Sequence, residues 1–440
     1  MRRRMGWAMA LLAMPASIAA QGQKMPPLPP PSAPAVAPAP AQNAPARISM
    51  DEAIRLALQH NHALQAARTT IFQNQAEEVT ANLRPNPTLS WDTQFFPLFS
   101  PSQFNANYLE NDAQFDLGIS YLFERGKKRQ HRLQAARDQT AVTVSQVDDD
   151  QRQLIFNTSQ QFIAVLLAQS TVDLAKQDAE SFRQTVIISE ARFKDGDMSE
   201  SDLLKIKLQL LQFQSDLSAA YLAKVQALAG LRQFLGFESV PDEFDVEGDL
   251  DYQPVHANVQ DLKVLGMQNR PDLRAAQQGV TAARSQEALM RANGKKDLGV
   301  TFDYTHTAGI NSGAFYFNID LPIFDRNQGE IARARFAITQ AEEQAIETAQ
   351  QVNTDIVDAY AALHSNDEII QLYRGGYVDQ AKQSRDITEY AYKRGAASLL
   401  DFLDAERTYR ANQLAYRQAL ASYMTALEQM RQAVGTRNLP

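Results

Sequence analysis

Four short runs in which apolar and polar residues alternate interrupt a chain that is otherwise patterned for long helices. In the second run, for example, Phe115, Leu117 and Ile119 alternate with polar residues and glycine. A period of two predicts strands with one apolar and one polar face, and about ten residues is the length that a tilted strand needs to cross a bilayer. The predicted strands cover about residues 88–96, 113–123, 297–306 and 314–324.

Stretches without glycine or proline predict long helices. Neither residue occurs between Gly126 and Gly196, and a helix of about 70 residues would be on the order of 100 Å long. Such a length is typical of coiled-coil packing. Further long helices are predicted over about residues 199–235, 329–395 and 398–434. We expect a bend in the middle one, at Gly375-Gly376.

The order of predicted elements occurs twice along the chain. Each half consists of a helix, two strands, a long helix and a return helix, and internal duplication of this kind is informative about the fold. The first helix is predicted from Ser49 to about Asn82, where Arg84-Pro85-Asn86-Pro87 stops it. The chain therefore divides into repeat 1, an acidic linker, repeat 2 and a tail, at residues 48–236, 237–258, 259–435 and 436–440.

Each repeat has one glycine between its long helix and its return helix. Gly196 and Gly395 lie at an offset of 199 residues, and a serine follows each of them three residues later. Glycine readily adopts the left-handed conformation that ends a helix, and serine caps the next one. Residues 194–199 and 393–398 are therefore predicted to be the tips of two helical hairpins.

The N-terminal residues indicate export. Residues 1–20 have the order of a secretory signal peptide, in which Arg2, Arg3 and Arg4 precede a short apolar core and small residues. A buried N-terminal helix is the alternative for this segment. Residues 21–47 are rich in proline and alanine, which predicts an extended linker. No later stretch is apolar enough for a transmembrane helix, so any crossing of a membrane would use strands.

Composition excludes several functions. The net charge of −8 gives no support to nucleic-acid binding. The absence of cysteine excludes disulfides, thiolate metal ligands, a cysteine nucleophile and lipid attachment through cysteine. No phosphate-binding glycine loop, nucleophile elbow or HExxH pair occurs, so we predict neither an enzyme nor a cofactor. His60 and His62 are two residues apart, which places their side chains on different sides of a helix, so we predict no metal site.

Four strands are too few to close a barrel, and open strand edges are costly in lipid. If three chains each contribute four strands, a closed barrel of about twelve strands results. The long helices would continue it as a tube. The alternative, on the pattern alone, is a soluble periplasmic scaffold that binds partners through coiled coils.

Several motifs resemble those of the TolC-type outer-membrane efflux proteins. Within that family the chain is most similar to the branch that serves cobalt–zinc–cadmium and copper–silver exporters. The resemblance covers essentially all of residues 48–435. The motifs that carry it are Arg84-Pro85-Asn86-Pro87, Asn269-Arg270-Pro271-Asp272-Leu273, the run from Leu321 to Gly329, and the tip from Gly395 to Asp404.

The resemblance implies a mainly α-helical fold with a small β part. Three chains would form a homotrimer with a 12-stranded β-barrel in the outer membrane of a Gram-negative cell, continued by a long periplasmic α-helical barrel. It would dock with a periplasmic adaptor (membrane fusion) protein and conduct substrate passively from an inner-membrane pump of the resistance-nodulation-division type. The branch implies heavy-metal cations as cargo, and multidrug efflux or type I secretion are the alternatives.

The family closes its periplasmic entrance at the hairpin tips. By motif, the gate aspartates fall on Asp401 and Asp404, Asp202 holds the equivalent place in repeat 1, and Tyr392 matches a gate tyrosine. In a trimer, six carboxylates from Asp401 and Asp404 would attract cations, and their mutual repulsion would raise some of their pKa values. The alternatives are that the aspartates stabilise the first turns of their helices and that Tyr392 only packs in the hairpin.

The resemblance also implies contacts between the tips and the adaptor. The alternative is that the glycines and serines are needed only to make the turns. Some family members carry an arginine two residues after the second tip glycine for closing ion pairs, whereas this chain has Ala396-Ala397 in that region. The predicted adaptor contacts are Gly196, Ser199, Leu204, Gly395, Ser398 and Leu403.

Overall fold

The computed structural model describes residues 46–439, so the predicted signal peptide and almost all of the predicted linker lie outside the described residues. The helices of repeat 1 are α1 (Met50–His60), α2 (His62–Ala81), α3 (Ala106–Asn111), α4 (Lys128–Lys194) and α5 (Glu200–Leu235). Those of repeat 2 are α6 (Val259–Asn269), α7 (Pro271–Asn293), α8 (Gln328–Leu372), α9 (Val378–Lys393) and α10 (Leu399–Val434). None of the helices in residues 46–439 has both the length and the apolar character needed to cross a membrane.

Four long strands form one antiparallel sheet, and two short strands form a second sheet. The long strands are β2 (Thr88–Gln94), β3 (Gln114–Phe123), β5 (Leu298–Thr307) and β6 (Ile310–Ile319), in the order β2-β3-β5-β6. The short strands are β1 (Ala46–Ile48) and β4 (Phe244–Val246), which pair in parallel. Each repeat thus supplies two neighbouring strands of the four-stranded sheet.

The fourth strand lies several residues earlier than the sequence pattern predicts. Ala308 and Gly309 have φ angles of 49° and 74° and form a two-residue turn, so β6 starts at Ile310. A tight turn with two positive φ angles joins antiparallel strands directly. The strand ends at Ile319 rather than about residue 324, because Pro322 has no N–H to donate to a ladder.

The predicted first helix is broken in two at Asn61. This residue ends α1 and also caps α2, because its side-chain oxygen accepts a hydrogen bond from the Leu64 backbone N–H at 3.0 Å. Its amide nitrogen donates to the Phe234 carbonyl at 3.1 Å. The prediction of one helix to Asn82 was wrong. The apolar period continues on both sides of Asn61, so the pattern does not reveal the break that this capping residue makes.

The interrepeat linker and the end of the N-terminal linker contain strands that the pattern missed. Ile48, Phe244 and Val246 are buried where β1 and β4 pair, and they join a core with α1, α4 and α5. Three residues are too few to display a period, and their partners lie almost 200 residues apart in the chain. The predicted extended linker to residue 47 therefore ends in strand β1, and the predicted irregular linker over 237–258 contains strand β4.

The second long helical run has a kink where the sequence has two consecutive glycines. Residues Tyr373–Tyr377 form one π-helical turn, and Gly376 has a φ of 112°. A π turn and a glycine pair are both common causes of helix kinks. The kink separates α8 from α9, which leads to the second tip.

Candidate functional site at the hairpin tips

The two tips have the same backbone construction. In the first tip, Gly196 has a φ of 82°, and the N–H of Asp197 donates to the Arg192 carbonyl at 2.8 Å. In the second tip, Gly395 has a φ of 76°, and the N–H of Ala396 donates to the Ala391 carbonyl at 2.8 Å. These contacts form a Schellman motif, which satisfies the last carbonyls of a helix.

A serine caps the return helix at each tip. The Ser199 hydroxyl accepts a hydrogen bond from the Asp202 N–H at 3.1 Å, and the Ser398 hydroxyl accepts one from the Asp401 N–H at 3.1 Å. In the second tip the Asp401 carboxylate also accepts from the Ser398 N–H at 3.1 Å, which completes a capping box. The serines thus have the turn-making role that the sequence indicated.

The predicted gate carboxylates are engaged by their own helices in the single chain. Hydrogen bonds from the Ser398 side chain and backbone lower the pKa of Asp401 below its ordinary value. Ser199 and Lys205 lower the pKa of Asp202 in the same way. Asp404 is exposed and pairs with Arg407 at 2.6 Å. Convergence of several chains at the tips would oppose these shifts, because like charges raise one another's pKa.

Tyr392 is buried where the two tips pack together. Its ring stacks on Phe402 with centroids 5.1 Å apart, and Phe402 stacks on Phe182 of repeat 1 at 6.3 Å. The Arg192 guanidinium lies 5.5 Å from the centroid of the Tyr392 ring. Burial raises the pKa of the Tyr392 phenol. The tyrosine therefore helps to hold the second tip against the first.

Sequence reasoning missed a group of buried charges behind the tips. Arg410 of α10 lies 3.2 Å from Asp178 of α4 and 2.6 Å from Asp216 of α5, so one side chain ties three helices together. Glu406 is also buried, with Arg385 at 4.0 Å. Burial raises the pKa of both Asp178 and Glu406. One feature of the sequence could have indicated this group: charged residues occur at positions where the helical pattern otherwise has apolar residues that face the core.

A groove of about 750 Å³ lies between α5 and α10 next to the tips. Its walls include Leu403 and Asp404, two of the predicted site residues, together with Asp216 and Arg410 of the buried charge group. Leu204, by contrast, is not among the residues that line this groove, although its side chain is exposed on α5.

In residues 46–439, no three histidine or acidic side chains are arranged to hold a metal ion.

The two tips, the duplicated repeats and the four-stranded sheet are the elements that the resemblance to outer-membrane efflux proteins implied. The sequence profile of the outer membrane efflux protein family matches residues 53–237 and 265–436, which is most of the chain. The chain therefore belongs to the outer membrane efflux protein family. It is an outer-membrane channel protein, and the alternative of a soluble periplasmic scaffold is set aside.

Individual proteins show the same relationship over nearly the whole chain. The cobalt-zinc-cadmium resistance protein CzcC of Cupriavidus metallidurans is 25% identical over 397 residues, which are 88% of this chain and 88% of that protein. The pyoverdine export outer membrane protein OpmQ of Pseudomonas putida is 24% identical over 386 residues, 82% of this chain and 80% of that protein. A solved structure of CusC covers 90% of this chain and 95% of its own, with a TM-score of 0.72 and 18% identity, and so has the same fold.

Proposed function

We propose that three copies of this chain assemble into the exit duct of a tripartite efflux system. The observation that carries the proposal is the four-stranded sheet, in which β2 and β6 are edge strands without a further partner in residues 46–439. In lipid, each unpaired backbone N–H or C=O costs several kcal/mol, so an open sheet does not span a bilayer. Edge-to-edge pairing of three sheets gives a closed barrel of about twelve strands.

The two faces of the sheet fit this placement. On one face, apolar side chains such as Leu89, Trp91, Phe315 and Phe317 are more than two thirds exposed in the single chain. An apolar face of this extent needs lipid or another apolar surface to cover it. The opposite face carries polar residues, so in a closed barrel it would line the lumen.

An uncovered stripe on α5 supports assembly through the helices as well. Its exposed leucines and valine lie at the four-and-three spacing of a coiled-coil seam, with Ser215 and Ser218 at the two seam positions between Leu211 and Leu222. The occupant that we propose for this seam is a helix of the neighbouring copy, which would close the helical tube below the barrel. The stripe consists of Leu208, Leu211, Leu222 and Val225.

The tips are proposed to form the inner mouth of this tube. Asp401, Asp404 and Asp202 would supply the charge of the closed gate, and Tyr392 would hold the paired tips in position. The chain has Ala396-Ala397 where some family members have an arginine, and the Arg192–Tyr392 contact and the Arg410 ion pairs are among the contacts that would hold each mouth segment instead. The adaptor would contact the turn residues Gly196, Ser199, Gly395 and Ser398, together with the exposed Leu204 of α5 and the partly buried Leu403 of α10.

We expect Asp401→Asn combined with Asp404→Asn to make the channel less selective for cations. Three chains lose six carboxylates from the narrowest part of the lumen, so the permeability ratio of potassium to chloride should fall at least about twofold. Planar bilayer recordings measure this ratio. Asp195→Asn with Asp197→Asn, which neutralises two aspartates of the first tip, is the matched control and should change it less. An unchanged ratio in the Asp401/Asp404 variant would remove the gate assignment.

The proposed partners are a periplasmic adaptor and an inner-membrane pump of the resistance-nodulation-division type. In this arrangement the channel is a passive, non-enzymatic conduit, and the pump supplies the energy. The length of α4 supports a periplasmic reach, because 67 helical residues span on the order of 100 Å. Such a helix extends far beyond the thickness of a bilayer.

Heavy-metal cations are the proposed cargo, and the similarity to CzcC over 88% of the chain is the main support. The polar face of the sheet is compatible with cations, because Asp92 lies opposite Asp116 and Asp303 lies on the same face. The similarity to OpmQ, a pyoverdine export protein, makes pyoverdine the second candidate.

Deleting the protein should lower tolerance to at least one of zinc, cobalt, cadmium, copper and silver. The expected change is several-fold in the inhibitory concentration, since the metal would lose its route out of the periplasm. Growth at graded concentrations of each metal measures it, and restoration by the intact gene controls for polar effects. Equal tolerance to all five metals, with impaired export of pyoverdine, would replace the metal cations by pyoverdine as the proposed cargo.

A further inference from the structure

Positive charge is concentrated at one end of the four-stranded sheet. The four segments that join the sheet to the helices, here taken as residues 84–87, 124–132, 294–297 and 320–327, all lie at the same end because the strands are antiparallel, and the second of them includes the first five residues of α4. We call these segments the collar. The collar has nine lysines and arginines and four carboxylates, although the whole chain has a net charge of −8.

Six of the nine collar cations make no ion pair in the described part of the chain, although Arg326 donates a hydrogen bond to the Pro322 carbonyl at 3.0 Å. Three carboxylates are taken up by ion pairs within the collar, between Lys128 and Asp297 at 2.7 Å, Arg132 and Glu124 at 2.8 Å, and Lys296 and Asp325 at 3.6 Å. The other cations make no ion pair with any residue in 46–439. They are Arg84, Arg125, Lys127, Arg129, Lys295 and Arg326.

Two of these unpaired arginines line a pocket of about 250 Å³. Arg84 and Arg129 lie in its wall together with Tyr121 and Phe123. Phe123 is half exposed and is the last residue of β3, on the apolar face of the sheet. The wall also includes Glu124, whose carboxylate pairs with Arg132. The pocket therefore places two arginines that make no ion pair in residues 46–439 beside the surface that is proposed to face lipid.

The opposite end of the sheet has none of this charge. The segments beyond it, residues 95–113 and the turn at 308–309, contain no lysine or arginine, and Glu110 and Asp112 are their only charged residues. The contrast indicates that the collar charge belongs to one membrane surface and is not a general feature of the loops.

We propose that the collar binds the phosphate headgroups of anionic phospholipids in the periplasmic leaflet of the outer membrane, with Arg84 and Arg129 as the central site. The inference rests on the proposed function, since it requires the sheet to span the bilayer with its helical end in the periplasm. Guanidinium groups bind phosphate oxygens in a bidentate manner, and clustered cations beside a membrane-spanning segment attract anionic lipid. The adjoining apolar face makes a lipid the source of the phosphate, because it can accept the acyl chains.

Native mass spectrometry of the full-length protein with equal amounts of phosphatidylglycerol and phosphatidylcholine tests the proposal. The parent should retain phosphatidylglycerol in preference, and Arg84→Gln with Arg129→Gln should weaken that binding about fivefold for each cation removed per chain. Arg84→Lys with Arg129→Lys keeps the charge and should retain most of the preference.

Lys176→Gln with Arg183→Gln is the matched control. It removes the same charge from exposed positions of α4 that lie about 70 Å or more along the helix from Arg129. Equal binding of the two lipids by the parent, or the same loss in the control, would overturn the proposal. Full displacement of the lipid by inorganic phosphate would assign the pocket to a free anion instead.

Channel recordings on the same samples separate this inference from the proposed function. A glutamine variant that still conducts but has lost its lipid preference agrees with both. A conducting parent without lipid preference contradicts only the collar assignment. A parent that inserts into no bilayer contradicts the proposed function itself.

Discussion

Replacing Phe402 with alanine should destabilise the paired tips by about 3–5 kcal/mol. The ring is 2% exposed and lies between Tyr392 and Phe182, so its removal leaves a cavity where the two repeats meet. Because this contact holds the second tip against the first, we also expect a higher leak conductance of the closed channel. Hydrogen exchange of the amides in α9 and early α10 measures the first effect, and planar bilayer recording measures the second.

Leu400→Ala is the control for this variant. Leu400 lies two residues away on the same helix, but it is 76% exposed and is not part of the core at the tips. It should change exchange and leak much less than Phe402→Ala. Equal exchange protection in the parent and the Phe402 variant would mean that the aromatic stack does not hold the tips.

Replacing Arg270 with methionine should lower the stability of repeat 2 by about 3–5 kcal/mol, because a buried ion pair is broken. The side chain is 4% exposed, and its guanidinium lies 2.5 Å from Asp272 and 3.0 Å from Asp355. It also donates to the Ala433 carbonyl at 3.2 Å, which ties α7 to the end of α10. Thermal unfolding in detergent, followed by circular dichroism, measures the shift.

The effect of Arg270→Met should depend on pH. Burial by itself would raise the pKa of Asp272, but the hydrogen bonds and charge of Arg270 hold it below its ordinary value. A carboxyl with a lowered folded-state pKa contributes stability above its unfolded pKa and loses it as pH falls through the folded pKa. The difference between parent and variant should therefore shrink in acid.

Arg333→Met provides the comparison for Arg270→Met. Arg333 pairs with Glu330 at 2.6 Å, but its side chain is 71% exposed, and exposed pairs contribute less than about 1 kcal/mol. If both variants shifted the unfolding temperature equally, the buried pair would have no special role.

The sequence predicted those parts of the fold that depend on local patterns. Phe115, Leu117 and Ile119 of β3 alternate as expected, and Gly196 and Gly395 end their helices with positive φ angles. Long-range pairing was not predictable in the same way. The β1–β4 sheet has three residues in each strand, and the Asn61 cap depends on the distant Phe234 carbonyl.

The tips were predicted as turns, but their chemistry was only partly predicted. The serine cap at Ser398 was predicted from its position after Gly395, whereas the reciprocal hydrogen bond from the Ser398 N–H to the Asp401 carboxylate was not. Charged residues at core-facing positions were visible in the sequence, but the pairing of Arg410 with Asp178 and Asp216 was not, because these residues belong to other helices and meet only through tertiary packing. The burial of Tyr392 likewise depends on Phe182 of the other repeat.

The mass of the assembly in detergent tests the central claim most directly. Light scattering on protein extracted from native envelopes, combined with recording of the same fraction in planar bilayers, gives both stoichiometry and conductance. The proposed closure of three four-stranded sheets requires a conducting particle with three times the protein mass of one mature chain. A conducting particle with the mass of a single chain would contradict it.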